Sequence, residues 1–150
     1  MSNPHPPETP RPPTFRWAPS LVGGMAAIGT AALFGTLVTN ISLSLAVARG
    51  LSLQQAYAGF GYALTSPTEL FSFGVVLLSG FFGGYVAASR GGGLHTRQAL
   101  VAGIVATTFF IAMSIGPSSS PPPAWYVALH LVSTLLSSLA GGQAYAQRGA

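Results

Sequence analysis

Four long segments of this chain are almost free of charge, and they constrain its fold more than any other feature. They cover residues 21–48, 68–89, 98–115 and 124–146, and the one charged residue in them is Glu69. At about 1.5 Å per residue, each can cross a hydrocarbon core of about 30 Å. Because the backbone must satisfy its own hydrogen bonds inside a bilayer, the pattern predicts an all-α membrane protein with four transmembrane helices.

The composition agrees with a chain that has lipid as its main solvent. Only 5% of the residues are charged and 49% are hydrophobic, whereas soluble domains carry about 25% charge. The net charge of +4 comes from six scattered arginines and two glutamates, and because the arginines form no basic patch, we expect no nucleic-acid binding. The chain has no cysteine, which excludes disulfides, thiol catalysis and sulfur metal sites.

The arginines predict how the chain is oriented. With four spans, the two tails and the second connection share one side of the membrane, and the first and third connections share the other. The first side carries five arginines, Arg11, Arg16, Arg90, Arg97 and Arg148, and the other carries only Arg49. The positive-inside rule therefore predicts that both termini lie in the cytoplasm.

Two segments outside the spans have their own patterns. Residues 1–20 contain seven prolines, which predicts a disordered cytoplasmic tail, with a proline-rich ligand for a partner as the alternative. Between the first two spans, Ser52 and Gln55 fit a capping box. Apolar residues then recur at helical spacing from Leu53 to Leu64, which predicts a short interfacial helix on the outer membrane face.

The second and fourth spans end in the same signature, L-L-S-x-x-x-G-G-x-x-x-A-x-R. The copies begin at Leu77 and Leu135 and end at Arg90 and Arg148, with a constant offset of 58 residues. A fainter likeness joins the starts of the first and third spans. The whole therefore fits a duplicated two-helix hairpin, with the two hairpins parallel and the interfacial helix inserted in the first.

The stretch from Gly83 to Arg90, with His95 and the run from Ala99 to Gly103 after it, resembles small bacterial four-span membrane proteins. Those uncharacterised families carry a G-G-Y-V-A-A-R-type helix end, a short loop with histidine and an A-L-V-x-G helix start. The resemblance covers residues 65–148, departs from the pattern at Ser89 and implies a fold rather than an activity. Small multidrug transporters share the span number, but they use a carboxylate deep in the first span, which is absent here.

Small residues recur on one face of every span. Between helices in lipid, association depends on close van der Waals packing, which small side chains permit. These faces could build the bundle of one chain, a dimer, or the lining of a channel groove. The residues predicted to pack are Gly23, Ala27, Ala31, Gly35, Gly80, Gly84, Ala88, Gly103, Ser138, Gly142 and Ala146.

Three polar residues in or near the spans are candidates for function. Glu69 follows Ser66 and Pro67 in the pattern of a helix cap, with a proton or cation site as the alternative. His130 lies about two turns into the fourth span, and ionisable groups at such depth are functional candidates. Asn40 should lie at a similar depth, so the sequence allows an Asn40–His130 hydrogen bond within a cluster that also includes Glu69.

Enzymatic constellations are absent from the sequence. The three histidines are far apart along the chain, and no acidic pair, Ser–His set or metal-ligand spacing is present. We therefore expect a non-enzymatic accessory or structural membrane subunit without cofactor or metal. Its partners would be the lipid bilayer and either a larger membrane complex or further copies of itself. The alternative is a small oligomeric channel or proton-linked transporter that uses His130 and Asn40.

Overall fold

A computed structural model describes residues 13–58, 67–114 and 122–148. These residues form five α-helices and no strand, and the four long helices are long and apolar enough to cross a membrane. The prediction of four spans with a short helix between the first two is confirmed. The helices are α1 (Trp17–Ala48), α2 (Leu53–Ala58), α3 (Pro67–Ser89), α4 (His95–Ser114) and α5 (Ala124–Arg148).

Three of the four spanning helices begin slightly earlier than the apolar segments do, and α5 begins at the predicted residue, Ala124. The first starts at Trp17 rather than Leu21, although Pro19 lies in its first turn. The amides of a first turn have no acceptor within the helix, so a proline there removes no hydrogen bond. At the other end, the backbone amides of Gly50 and Leu51 donate to Val47 and Ala46, and Gly50 has a φ of +88°. This glycine turn fixes the end of α1.

The short helix α2 begins with the predicted capping box. The backbone amide of Ser52 donates to the Gln55 side chain at 2.9 Å, and the amide of Gln55 donates to the Ser52 hydroxyl at 3.3 Å. The described helix ends at Ala58, and the rest of the predicted helix, to Leu64, lies outside the described residues. The first twelve residues of the predicted tail also lie outside them.

Around the bundle, the spanning helices follow the order α1, α3, α5, α4. The central pair, α3 and α4, contact each other as well, whereas α1 and α5 do not meet anywhere in the described parts of the chain. The hairpin of α1 and α3 therefore lies beside the hairpin of α4 and α5. Tyr126 contacts Glu69 near the starts of α5 and α3, and Tyr145 contacts Tyr85 near their ends, so these two helices are parallel. This is the arrangement that a duplicated hairpin requires.

The buried core consists of small residues. Ala87, Ala88, Ala99 and Ala106 are fully buried, while Leu33 keeps 74% of its surface exposed. Soluble proteins place their large apolar residues inside, but lipid solvates such side chains, and small residues between helices allow close approach. The core therefore has the inverted composition of a membrane bundle.

The tightest packing lies in the half of the bundle where α1 begins and α3 and α5 end. We call it the packed half: residues 19–27, 79–88, 98–107 and 133–142. A Cβ added at Gly83 would lie 2.6 Å from the Gly23 oxygen, and one at Gly84 would overlap the backbone of Ser138. Eight of the eleven small residues named from the sequence are buried between helices here. The exceptions are Ala31, Ala146 and Gly35, and the last of these has open space around it.

Candidate functional site: an intramembrane polar cluster

Glu69 joins two helices near the end of the bundle opposite the packed half. It lies in the first turn of α3, and only 9% of its surface is exposed. Its carboxylate accepts a hydrogen bond of 2.9 Å from the Tyr126 hydroxyl on α5. The position suits a carboxylate, because the amide end of a helix carries partial positive charge. Its predicted capping partner, Ser66, lies outside the described residues, so the capping interpretation stays a prediction.

Tyr126 also connects this carboxylate to His130. The two rings lie one helical turn apart on α5, with centroids 4.3 Å apart and planes tilted by 37°. Phe73 of α3 also approaches the imidazole, with a centroid distance of 5.8 Å and planes at 79°. The imidazole of His130 thus packs against aromatic rings of both α3 and α5, and this packing restricts its position.

One polar atom of the imidazole has no partner. Nε2 of His130 is buried and makes no hydrogen bond to any described residue. One turn further along α5, the Thr134 hydroxyl donates to the backbone oxygen of His130, at 2.8 Å, rather than to its ring. Buried polar atoms are nearly always paired, so this nitrogen is the atom of the site best suited to bind something from outside the chain.

A cavity of about 250 Å³ adjoins the histidine. Tyr126, His130 and Thr134 line it from α5, Val76 lines it from α3, and Phe110 lines it from α4. Most of this wall is apolar. The cavity could therefore admit a water molecule or a small apolar molecule with one hydrogen-bonding group, positioned by the aromatic rings.

Asn40 is not part of this cluster, and the predicted Asn40–His130 hydrogen bond is wrong. The Asn40 amide donates to the backbone oxygen of Thr36 at 2.9 Å within its own helix, and its side chain is exposed. The helices that carry the two residues, α1 and α5, do not contact each other in the described parts of the chain. Sequence position gave the depth of each residue but not the direction in which it faces.

Two polar features were not predicted from the sequence. Tyr126 is not among the candidates named from the sequence, although its spacing of four residues from His130 places both on one face of α5. In the packed half, the Ser20 hydroxyl of α1 donates to Oε1 of Gln98 on α4, and both residues are fully buried. No spacing rule connects residues 78 positions apart, so this pair had no local signal.

The chemistry available to the cluster is proton exchange and hydrogen bonding. A carboxylate and a phenol share a hydrogen bond, and an imidazole stacks on the phenol. Within the described ranges no three His, Cys, Asp or Glu residues gather as metal ligands. No family model, curated protein or solved structure matches the chain.

Proposed function

We propose that this protein is a non-enzymatic structural or accessory subunit of a membrane complex. The observation that supports this most strongly is the closure of the packed half by backbone contacts. Gly23 and Gly83 join α1 to α3, and Gly84 and Ser138 join α3 to α5. Helices in such contact cannot separate to admit a solute unless the bundle itself comes apart. A rigid bundle with a lipid-facing surface of large apolar residues suits a role in assembly.

The buried polar groups support the same proposal. At the packed end, Ser20 and Gln98 join α1 to α4, and the Ser138 hydroxyl donates to the Ala99 oxygen at 2.7 Å between α5 and α4. These bonds hold helices together, and no continuous row of ionisable groups passes through the described packed half to the Glu69 cluster. The placement favours a structural role over transport.

The test is native mass spectrometry of the tagged protein, extracted gently from its own host. We expect a second protein in fixed stoichiometry with this chain. Gly84→Ala should lose that protein together with the fold of the bundle, whereas the control Gly29→Ala, at a position with open space, should keep it. Recovery of this chain alone, with proton flux in liposomes, would overturn the proposal.

One observation favours a second candidate, a small proton-linked transporter or channel. Glu69, Tyr126 and His130 are three adjacent groups beside a cavity, and one imidazole nitrogen is unpaired. If this candidate holds, His130→Leu should abolish proton-coupled flux in liposomes. Asn40→Leu should have no effect, since Asn40 faces away from the cluster. Absence of flux from the unaltered protein would reject the candidate.

We further propose that the protein lies in a bacterial inner membrane with both termini in the cytoplasm. The packed half bears Arg90, Arg97 and Arg148 at its end, and Arg49 lies at the other end of the bundle. Single cysteines introduced at Arg97 and at Gln55 would test this in intact cells, because a membrane-impermeant thiol reagent should label only the second. Labelling of the first alone would reverse the orientation.

A further inference from the structure

A groove of about 570 Å³ opens between α1, α2 and the start of α3. It lies beyond the packed half, in the part of α1 that contains no buried residue. Its walls are mainly apolar and include Ile41, Leu45 and Phe71, while Ser42 and Thr68 meet in a hydrogen bond of 3.3 Å between α1 and α3. The groove therefore has a long apolar wall that ends in a polar region around Arg49 and Gln55.

Arg49 is held in place by the end of α1. It is the capping residue of the helix, and the turn after it reverses the chain through Gly50 so that Leu51 also lines the groove. The backbone amide of Leu51 donates to the Ala46 oxygen at 3.2 Å, which closes that turn. The Arg49 guanidinium is therefore attached to a hydrogen-bonded helix end at the mouth of the groove, rather than to an unstructured loop.

No carboxylate of the described ranges neutralises this arginine. Glu69 is the single acidic side chain in them, and its hydrogen bond to Tyr126 directs it toward α5. Arg49 is exposed, and an arginine at the end of a span prefers to reach the headgroup layer. The groove thus offers an unneutralised cation at the depth where phosphate groups lie.

The length of the groove matches one leaflet of a bilayer. From Val38 to Arg49, the groove-lining part of α1 covers about 16 Å at the rise of an α-helix. A leaflet contributes about half of a hydrocarbon core of about 30 Å. An acyl chain that begins at Arg49 would thus run along the apolar wall for the depth of its own leaflet.

We propose that the groove binds one anionic phospholipid. The guanidinium of Arg49 forms charge-assisted hydrogen bonds with the phosphate, and the Gln55 amide supplies a further polar contact at the headgroup. One acyl chain fills the space between α1 and α3 against Leu45 and Phe71. This site is independent of the proposed subunit role and of the Glu69 cluster, and the lipid completes the packing of α1 where the other helices do not.

The experiment titrates the full-length protein, delipidated in detergent, with phosphatidylglycerol and with phosphatidylcholine of the same acyl chains. Native mass spectrometry counts the lipid bound. We expect one tightly bound lipid and a preference of about fivefold for phosphatidylglycerol, the worth of one arginine near a charged headgroup. Arg49→Gln should remove the preference. Arg97→Gln, which removes the same charge at the other end, should retain it.

Further variants separate the headgroup from the groove. Arg49→Lys keeps a cation on the same backbone and should keep most of the preference, which distinguishes loss of charge from loss of fold. Ala46→Phe should fill the groove and weaken binding of both lipids. Equal binding of the two lipids by the unaltered protein, or equal effects of Arg49→Gln and Arg97→Gln, would overturn the proposal. Displacement of the lipid by glycerol phosphate alone would also overturn it, because the site would then recognise free phosphate.

Discussion

The two halves of this bundle follow different rules of packing. In the packed half, glycine and alanine bring backbones into contact, and the repeated signatures of α3 and α5 lie side by side. In the other half, which we call the open half, α1 has no buried residue, and the helices are joined by single polar or aromatic contacts such as Glu69–Tyr126 and Ser42–Thr68. Close packing therefore stabilises one half, while the other keeps the polar groups and cavities that could bind ligands.

The largest effect should come from filling a backbone contact in the packed half. The Cβ of Gly84→Ala would overlap the backbone of Ser138, so α3 and α5 must separate. We expect a loss of about 3 kcal/mol in the free energy of unfolding, measured by denaturant titration in detergent micelles. Gly29→Ala, at an exposed position with open space inside α1, should not lower it and should raise it by up to about 1 kcal/mol, because alanine is the better helix former. Equal effects would show that the halves do not differ in packing.

The buried Ser20–Gln98 pair should come second. Ser20→Ala removes the hydroxyl that donates to Gln98 and leaves a buried amide oxygen without its partner. We expect a cost of about 1–2 kcal/mol in the same titration. Gln98→Leu in the Ser20→Ala background should then cost less than it does alone. Strict additivity of the two substitutions would contradict a direct bond between α1 and α4.

The sequence predicted the spans well but the site only in part. Hydropathy predicts which segments cross the membrane, and the repeated glycines predict which face of each helix can pack closely against a neighbour. They also place Asn40 and His130 at one depth, but the rotation of each helix depends on its neighbours, and α1 has no contact with α5 in the described chain. The prediction that Gly35 packs against another helix failed for the same reason. Gly35 continues the row of small residues on α1, but no other helix of the described chain covers α1 at that point.

The turn after α1 gives a third prediction, located in the open half. Gly50 has a φ of +88°, where a side chain is strained, so Gly50→Ala should cost about 1–2 kcal/mol locally. Gly74→Ala in α3, with open space at its Cβ, is the matched control. Hydrogen exchange of the amides after Val47 should accelerate in the first variant only. Unchanged exchange there would mean that the turn does not hold Arg49.

The smallest effect should come from the hydrogen bond between Tyr126 and Glu69. Tyr126→Phe removes the donor but keeps the ring that stacks on His130. Polar contacts between membrane helices average about 0.6 kcal/mol, and we expect a loss of that size in the denaturant titration. Glu69→Gln keeps an acceptor oxygen and should be milder than Glu69→Leu. If Tyr126→Phe lowered the free energy of unfolding as much as Gly84→Ala does, the open half would contribute as much to stability as the packed half, which would contradict this account.

Disulfide trapping in native membranes tests the central claim most directly, because the chain has no cysteine of its own. A Cβ at Gly80 would lie 3.3 Å from the Cβ of Ser137 and 2.9 Å from the backbone oxygen of Thr134, a looser contact than the one at Gly84. A shift of α3 by about 0.3 Å would relieve this contact and bring the two Cβ atoms to the separation of about 3.5–4.5 Å that a disulfide requires. Under a mild oxidant, we expect Gly80→Cys with Ser137→Cys to cross-link, and Asn40→Cys with His130→Cys to stay reduced. Cross-linking of the second pair without the first would contradict both the pairing of the repeats and the separation of α1 from α5 in the described chain.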